Sequence, residues 1–319
     1  MPSLHRRDFH RAALAGFASG LLSSRVLAAD LPPKRKFTID LVCGAIGVTA
    51  DQARAIALAS ANGFESVQPQ PGDLAKLSEA ELAQLLAGLK EKGLVWGAAG
   101  LPVDFRGEED KFQSDLKGLP AAAASLKRAG ATRLGTWIRP SHATLTYMAN
   151  FKQHVRRLAE VAKILDDNGL RFGLEYVGPK TSWTGAKHSF VHSMAEQKDL
   201  IACINRPNVG LVLDSWHWYT AGETEADLLT LTNKDVVACD LNDAPVGIAV
   251  DKQMDLVREL PMATGVIDLK TFLSALVKIG YDGPVRAEPF NAALNKLPPD
   301  EAVAKTGEAM KRAFALVEQ

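Results

Sequence analysis

The sequence predicts an α/β fold, a single-domain (β/α)₈ TIM barrel. After residue 36, strand-like and helix-like segments alternate eight times, and Gly or Asn-Gly stops follow several of the helices. Repeats of this kind pair in parallel through right-handed crossovers, and eight of them close into a barrel. The length of 319 residues suits one large barrel. A third observation is that the last four strand-like segments each end in a carboxylate.

The elements follow one another without a composition shift that would mark a second domain. Asn62–Gly63 and Asn168–Gly169 stop the first and fourth helices, and Ser78 with Glu81 caps the second. The predicted strands are 37–43, 64–68, 94–98, 132–137, 171–175, 209–214, 236–240 and 284–288. The predicted helices are 50–61, 78–92, an Ala-rich helix ending near 128, 148–167, 192–204, 224–232, 268–279 and 300–317.

Composition excludes several classes of function. Lysines and arginines equal the acids in number, so the formal net charge is zero, which argues against a nucleic-acid partner and against electrostatic membrane binding. The 47% hydrophobic content supports a large core. Three cysteines without a C-x-x-C pair indicate neither a disulfide framework nor a thiolate zinc site. Each of them, Cys43, Cys203 and Cys239, has apolar neighbours and is expected to be buried.

The first thirty residues carry a pattern of their own. Arg6–Arg7 precedes an apolar stretch from Ala12 to Leu22 that is too short to span a bilayer. The segment resembles a bacterial twin-arginine export signal, with processing near Ala28. This predicts a signal peptide at 1–29, a linker at 30–36, a barrel at 37–319, and a periplasmic or secreted protein without stable membrane insertion of the mature chain. The alternative is a basic amphipathic arm that stays attached.

Four acids end consecutive predicted strands: Glu175, Asp214, Asp240 and Glu288. The C-terminal ends of parallel barrel strands surround one cavity, so these side chains should converge. Four convergent carboxylates need a counter-charge, and a hard divalent cation supplies one. Taken singly, each acid could instead cap a helix or pair with a lysine or arginine. Taken together, they predict a shared metal site.

Other polar residues fall at the same end of the predicted barrel. His217 lies three residues after Asp214, so it could bind a substrate hydroxyl, act as a further ligand, or pack among the neighbouring aromatics. His142, Lys180 and Arg258 lie in predicted loops at this face and are candidate substrate-binding residues, or else solvated loop charges. Arg258 belongs to the longest connection, 244–268, which is predicted to lie over the cavity.

Five segments together resemble a known family. They are GLEYVGPKT (173–181), GLVLDSWHWY (210–219), LNDAP (241–245), REL to VIDL (258–269) and GYDGPVRAEPF (280–290). The chain is similar over residues 37–317 to the xylose isomerase-like TIM-barrel family, the sugar phosphate isomerases and epimerases. The resemblance implies a divalent ion, with Mn²⁺ or Mg²⁺ expected, held by Glu175, Asp214 and Glu288. It also places His217 against substrate oxygen.

One position departs from the family pattern. Relatives carry His-x-Asn-Asp or His-x-Lys-Asp where this chain reads Asp240-Leu-Asn-Asp. Asp240 is therefore predicted to replace the histidine ligand. An all-oxygen site favours hard ions over Zn²⁺ and makes the metal a weaker Lewis acid.

The activity implied by the resemblance is proton transfer beside a carbonyl through an enediolate, with Glu175 and Glu288 as base and acid. The expected protein is an isomerase or epimerase of a small sugar or keto-sugar, able to form a homo-oligomer. A lyase or dehydratase acting on keto-glycosides or inososes is the first alternative. A non-catalytic carbohydrate-binding barrel, suggested by Asp240, is the second.

Overall fold

A computed structural model of the chain describes residues 34–318. The predicted signal peptide, with its Arg6–Arg7 pair, and residues 30–33 of the predicted linker lie outside this range. Among residues 34–318, no helix combines the length and hydrophobicity needed to cross a bilayer.

The predicted barrel is confirmed. Its main sheet is wholly parallel and has nine segments in the spatial order β3-β2-β1-β11-β10-β9-β7-β5-β4. The strands are β1 (Thr38–Leu41), β2 (Ser66–Val67), β3 (Val95–Trp96), β4 (Ala99–Gly100), β5 (Arg133–Trp137), β6 (Ser141–His142), β7 (Arg171–Glu175), β8 (His188–Ser189), β9 (Val209–Asp214), β10 (Val236–Leu241) and β11 (Pro284–Ala287). The short strands β6 and β8 pair antiparallel outside the main sheet.

One segment, residues 95–100, closes the barrel. Its first half, β3, pairs with β2, and its second half, β4, pairs with β5. Gly97 lies between the halves and donates its N–H to the carbonyl of Val67 at 2.9 Å. The two ends of the sheet are thus consecutive in the chain, so the nine segments fill eight barrel positions.

Helices surround the sheet in the order the alternation predicts. They are α1 (Gln52–Asn62), α2 (Pro71–Leu74), α3 (Glu79–Glu91), α4 (Glu109–Arg128), α5 (Tyr147–Asp166), α6 (Lys180–Trp183), α7 (Met194–Ile204), α8 (Ser215–Thr220), α9 (Glu225–Leu228), α10 (Leu269–Lys278) and α11 (Pro299–Phe314). The predicted cap of α3 is confirmed as a capping box, in which Ser78 and Glu81 exchange side-chain and backbone hydrogen bonds.

Three details differ from the sequence prediction. The strand predicted at 94–98 is split in two, because pairing changes partner at Gly97. The helix predicted at 224–232 is a single turn, α9. The expected burial of all three cysteines is wrong for Cys203, which is exposed on α7, whereas Cys43 and Cys239 are buried.

The barrel interior is built in two layers. A lower layer consists of the small apolar side chains Val212, Ala98 and Ala238, which pack together. Val212 fills this space because Gly135 and Gly173 present no side chain; a Cβ at either glycine would lie 2.7 to 2.8 Å from its Cγ2 atom. Side chains two residues apart on a strand face the same side. The next layer therefore holds the acids that follow Gly173, Val212 and Ala238 by two positions.

Gly97 provides a test of this packing. A Cβ added there would meet the Asp40 carboxylate at 2.2 Å, and Asp40 is 2% exposed. We expect Gly97→Ala to lower the free energy of unfolding by about 1–3 kcal/mol because an overpacked interior must shift. Gly88→Ala in α3, where nothing lies within 4 Å of the new Cβ, is the matched control and should raise it by roughly 0.5–1 kcal/mol. Urea unfolding measures both, and equal midpoints would contradict the packing.

Candidate active site

The four predicted acids meet at the C-terminal ends of neighbouring strands. Each of Glu175, Asp214, Asp240 and Glu288 offers one oxygen, and these oxygens all lie within 4.8 Å of one another. Asp214 and Asp240 are fully buried, and Glu175 is 6% exposed. The convergence expected from the strand ends is therefore present in the structure.

Asp214 is fixed from two sides. Its Oδ1 accepts hydrogen bonds from the Trp216 N–H at 2.8 Å, as the N-cap of α8, and from Asn242 Nδ2 at 3.0 Å. Its Oδ2 accepts from Arg258 Nη1 at 2.8 Å. The carboxylate is thereby held in one orientation, with its second oxygen directed towards Arg258.

Asp240 is paired with an arginine that the sequence analysis did not single out. Arg286 donates from Nε to Oδ1 at 2.5 Å and from Nη2 to Oδ2 at 2.8 Å. The two residues are cross-strand neighbours on β10 and β11. Both carboxylate oxygens therefore accept hydrogen bonds from the same planar guanidinium group.

Glu175 and Glu288 have weaker partners. Oε1 of Glu175 is buried and accepts no hydrogen bond from residues 34–318. Glu288 Oε2 lies 3.5 Å from Arg258 Nη1, and its Oε1 lies 3.6 Å from Arg286 Nη2. The Glu288 N–H donates to Asn242 Oδ1 at 2.9 Å, so Asn242 links the strand ends that carry Asp214 and Glu288.

His217 contacts the acid cluster through Nε2. This atom lies 3.7 Å from Glu175 Oε1 and 3.7 Å from Asp214 Oδ2. Its Nδ1 accepts the Gly178 N–H at 3.2 Å, and its Nε2 lies 3.3 Å from Arg258 Nη2. Gly178 has no room for a side chain, because a Cβ there would lie 2.6 Å from the His217 carbonyl oxygen. The His217 ring is thus held between Gly178 and Arg258, and it lines the cavity.

Arg258 comes from the long connection 244–268, which reaches the site as predicted. Its side chain is 2% exposed and lies over the rings of Trp216 and Phe290. It also donates from Nη2 to Asp255 Oδ1 at 2.8 Å. Asp243 anchors the connection by accepting backbone N–H groups of Thr264, Gly265 and Ile267. This anchoring holds Arg258 against the acids.

Burial and mutual repulsion shift the pKa values of these groups. Burial, followed by the charges of Asp240, Glu288 and Asp214, raises the pKa of Glu175 well above its usual range. Burial raises the pKa of Asp214 to about 7 against the opposing effect of Arg258. Burial likewise raises the pKa of Glu288 and lowers that of His217. Burial therefore destabilises the ionised forms of Glu175, Asp214 and Glu288.

A cavity of about 680 Å³ opens above the acids. It is large enough for a small ligand. Its lining includes Glu175, His217, Arg258, Arg286, Glu288, Asp255, Phe290, Arg106 and Trp137. Among the aromatics near His217, Trp216 and Trp218 are buried in the core, so Trp137 and Phe290 provide the aromatic surface of the cavity instead.

Two predicted substrate-binding residues lie elsewhere. Of the described residues, Lys180 and His142 are not among those lining the large cavity. Lys180 borders a smaller cavity of about 220 Å³ beside α6. His142 lies on β6, where its Nδ1 accepts the N–H groups of Thr144 and Leu145. A substrate-binding role for either residue stays a prediction.

The residues fit a divalent cation bound by oxygen ligands. Two guanidinium groups face the four carboxylates, and one of them is shared with Asp255, so the acids outnumber the arginines and leave negative charge without a counter-charge. Glu175 also has a buried oxygen that no residue of the described range 34–318 hydrogen-bonds. Hard divalent ions prefer carboxylate oxygens, and one such ion supplies the missing charge.

The sequence analysis missed two charged residues that lie in the same layer of the barrel interior as the four acids. Arg286 lies two positions before Glu288, and Asp40, in β1, is in register with Arg286. Both could have been found from strand alternation, because each occupies an inward position in an otherwise apolar strand. Asp40 is buried, its oxygens accept no hydrogen bond from the described residues, and burial raises its pKa to about 6.

The barrel and its ring of acids define a class of protein. Residues 56–313 match the family described as the xylose isomerase-like TIM barrel, so the chain belongs to that family. A xylose isomerase domain protein of Alicyclobacillus acidocaldarius has the same fold, with 32% identity and a TM-score of 0.75, over 86% of this chain and 97% of that one.

Two curated relatives are enzymes that act on small sugar-like molecules. An inosose isomerase of Bacillus subtilis is 32% identical over 156 residues, which is 48% of this chain and 51% of the relative. A ketose 3-epimerase of Arthrobacter globiformis is 28% identical over 152 residues, which is 48% of this chain and 45% of the relative. The chain thus spans about half the length of the curated relatives it matches.

Proposed function

We propose that this protein is a metal-dependent isomerase or epimerase that moves a proton beside the carbonyl of a small polyhydroxy ketone, such as a ketose or an inosose. The observation that carries the proposal is the acid cluster at the cavity, in which no arginine nitrogen of residues 34–318 lies closer than 3.5 Å to the carboxylates of Glu175 and Glu288. Membership of the family and the two enzymatic relatives support the same reaction class.

The roles proposed for the residues follow from their positions. Glu175 and Glu288 project from opposite ends of a run of four neighbouring strands, β7, β9, β10 and β11. A carboxylate on each side of a carbon can remove its proton and return one to the other face. His217 lines the cavity and can hydrogen-bond a substrate hydroxyl, and Trp137 offers an apolar face for the sugar carbons.

Glu175, Asp214 and Glu288 would hold the cation. When bound, a divalent cation polarises a carbonyl and stabilises negative charge that develops on oxygen. The protein contributes the orientation of the three carboxylates, through Asn242 and the N-cap bond of Asp214. All-oxygen ligands favour Mn²⁺ or Mg²⁺.

Hydrogen exchange in D₂O tests the reaction. We expect the protein saturated with Mn²⁺ to place solvent deuterium on a carbon next to the carbonyl of at least one member of a panel of ketoses and inososes. Glu288→Gln cannot accept the proton and should slow this exchange by about 10²–10⁴-fold at saturating metal. Glu91→Gln, an exposed acid at the end of α3, is the control and should exchange at the wild-type rate.

Other outcomes point to the two alternatives. Loss of water from an inosose would indicate a dehydratase, and release of the aglycone from a keto-glycoside would indicate a lyase. Binding without deuterium incorporation or elimination would indicate a carbohydrate-binding barrel. Near wild-type exchange by Glu288→Gln would remove Glu288 as a proton carrier.

We also propose that the chain is exported through a twin-arginine signal at residues 1–29 and acts in the periplasm or outside the cell. Arg6–Arg7 and the short apolar stretch after it support this. N-terminal sequencing of the protein from fractionated cells should find processing near Ala28, and Arg6→Lys with Arg7→Lys should abolish export. A cytoplasmic protein that keeps Met1 or Pro2 would contradict the proposal.

A further inference from the structure

We infer that Asp240 is not a ligand of the proposed cation. It is the counter-ion of Arg286, and Arg286 thereby determines that the cation is held by only three carboxylates: those of Glu175, Asp214 and Glu288. This inference rests on the proposed function, because it presupposes a divalent cation in the cavity. It replaces the expectation that Asp240 substitutes for the histidine ligand of the family.

The pairing of Asp240 differs from that of the other acids. Both of its oxygens accept from one guanidinium group, at 2.5 and 2.8 Å, in the parallel geometry that makes arginine–carboxylate pairs strong. Asp214 contacts its arginine through Oδ2 alone, and no arginine nitrogen lies closer than 3.5 Å to the Glu288 carboxylate. Glu175 accepts no arginine hydrogen bond within residues 34–318.

Burial makes the Asp240–Arg286 pair hard to open. Asp240 is 0% exposed and the Arg286 side chain is 19% exposed. Removing one partner from a buried ion pair leaves an uncompensated charge, which is strongly unfavourable. A cation that took Asp240 as a ligand would separate the pair and also place two positive groups side by side. Coordination by Glu175 and Glu288 avoids both costs, and coordination by Asp214 places the cation near Arg258 but separates no bidentate pair.

The charge count leads to the same assignment. Arg286 is bound to Asp240, and Arg258 is shared between Asp214 and Asp255 at 2.8 Å each, so Glu175 and Glu288 are the acids of the cluster that lie farthest from an arginine nitrogen and carry the charge that a divalent ion would balance. Arg286 Nη1 makes no hydrogen bond to any described residue, and Arg286 lines the cavity. Arg286 therefore presents a cationic donor beside Glu288, available to a substrate oxygen.

Removal of each arginine–aspartate pair as a unit tests the inference. Asp240→Leu with Arg286→Met, and Asp214→Leu with Arg258→Met, delete the same two charges and leave the net charge of the site unchanged. Calorimetric titration with Mn²⁺ should give the first variant a Kd within about fivefold of wild type, which is about 1 kcal/mol. The second variant loses a ligand, and its affinity should fall by about 100-fold or more.

Thermal unfolding without metal establishes that each variant is folded. If Asp240→Leu with Arg286→Met does not fold, Asp240→Asn with Arg286→Gln removes the same two charges but keeps polar side chains at both positions, and should bind Mn²⁺ within the same limits. If the double variant at Asp240 and Arg286 lost as much Mn²⁺ affinity as the double variant at Asp214 and Arg258, the inference would be overturned. The proposed function would not be affected by that result. Failure of the wild-type protein to bind Mn²⁺, Mg²⁺ or Zn²⁺ would overturn the inference together with the metal dependence in the proposed function.

Discussion

The balance of charge at the C-terminal end of the barrel is the constraint on which the site depends. Parallel strands bring Glu175, Asp214, Asp240 and Glu288 within 4.8 Å of one another. Such a cluster cannot stay ionised by itself in a buried cavity. Two arginines supply part of the counter-charge, and each comes from a different structural source: Arg286 from a barrel strand and Arg258 from the long connection.

This constraint links the fold to the chemistry. Gly135 and Gly173 leave room for Val212 in the lower layer, and the strand alternation then puts the acids in the next layer. Asn242 and the start of α8 orient Asp214, and Asp243 anchors the connection that carries Arg258. Glu175 and Glu288 remain as the least neutralised acids, which suits both cation binding and proton transfer.

Much of this arrangement could be predicted from the sequence, because it depends on local patterns. The alternation of strands and helices predicted the barrel, and acids at the ends of apolar strands predicted the cluster. The partner of each acid could not be predicted, because it depends on register between distant segments. Arg286 pairs with an acid 46 positions earlier, and Arg258 with one 44 positions earlier. The split of the third strand at Gly97 likewise depends on which distant strands pair with its two halves.

Loop residues were the hardest to assign, since loop position at the correct face does not imply access to the cavity. Lys180 and His142 lie at that face but do not line the large cavity in the described part of the chain, whereas Arg258 does. Contact with the cavity requires an anchor such as the three backbone hydrogen bonds that Asp243 accepts. Such an anchor becomes visible only when the connection is folded against the strands.

The most direct test of the charge balance is a crystal structure of the protein grown with Mn²⁺, with anomalous scattering used to locate the ion. The account predicts one anomalous peak in contact with oxygens of Glu175, Asp214 and Glu288, with Arg286 still bound to both oxygens of Asp240. A cavity without a peak at saturating Mn²⁺, or an ion coordinated by Asp240 with the Arg286 pair broken, would contradict it.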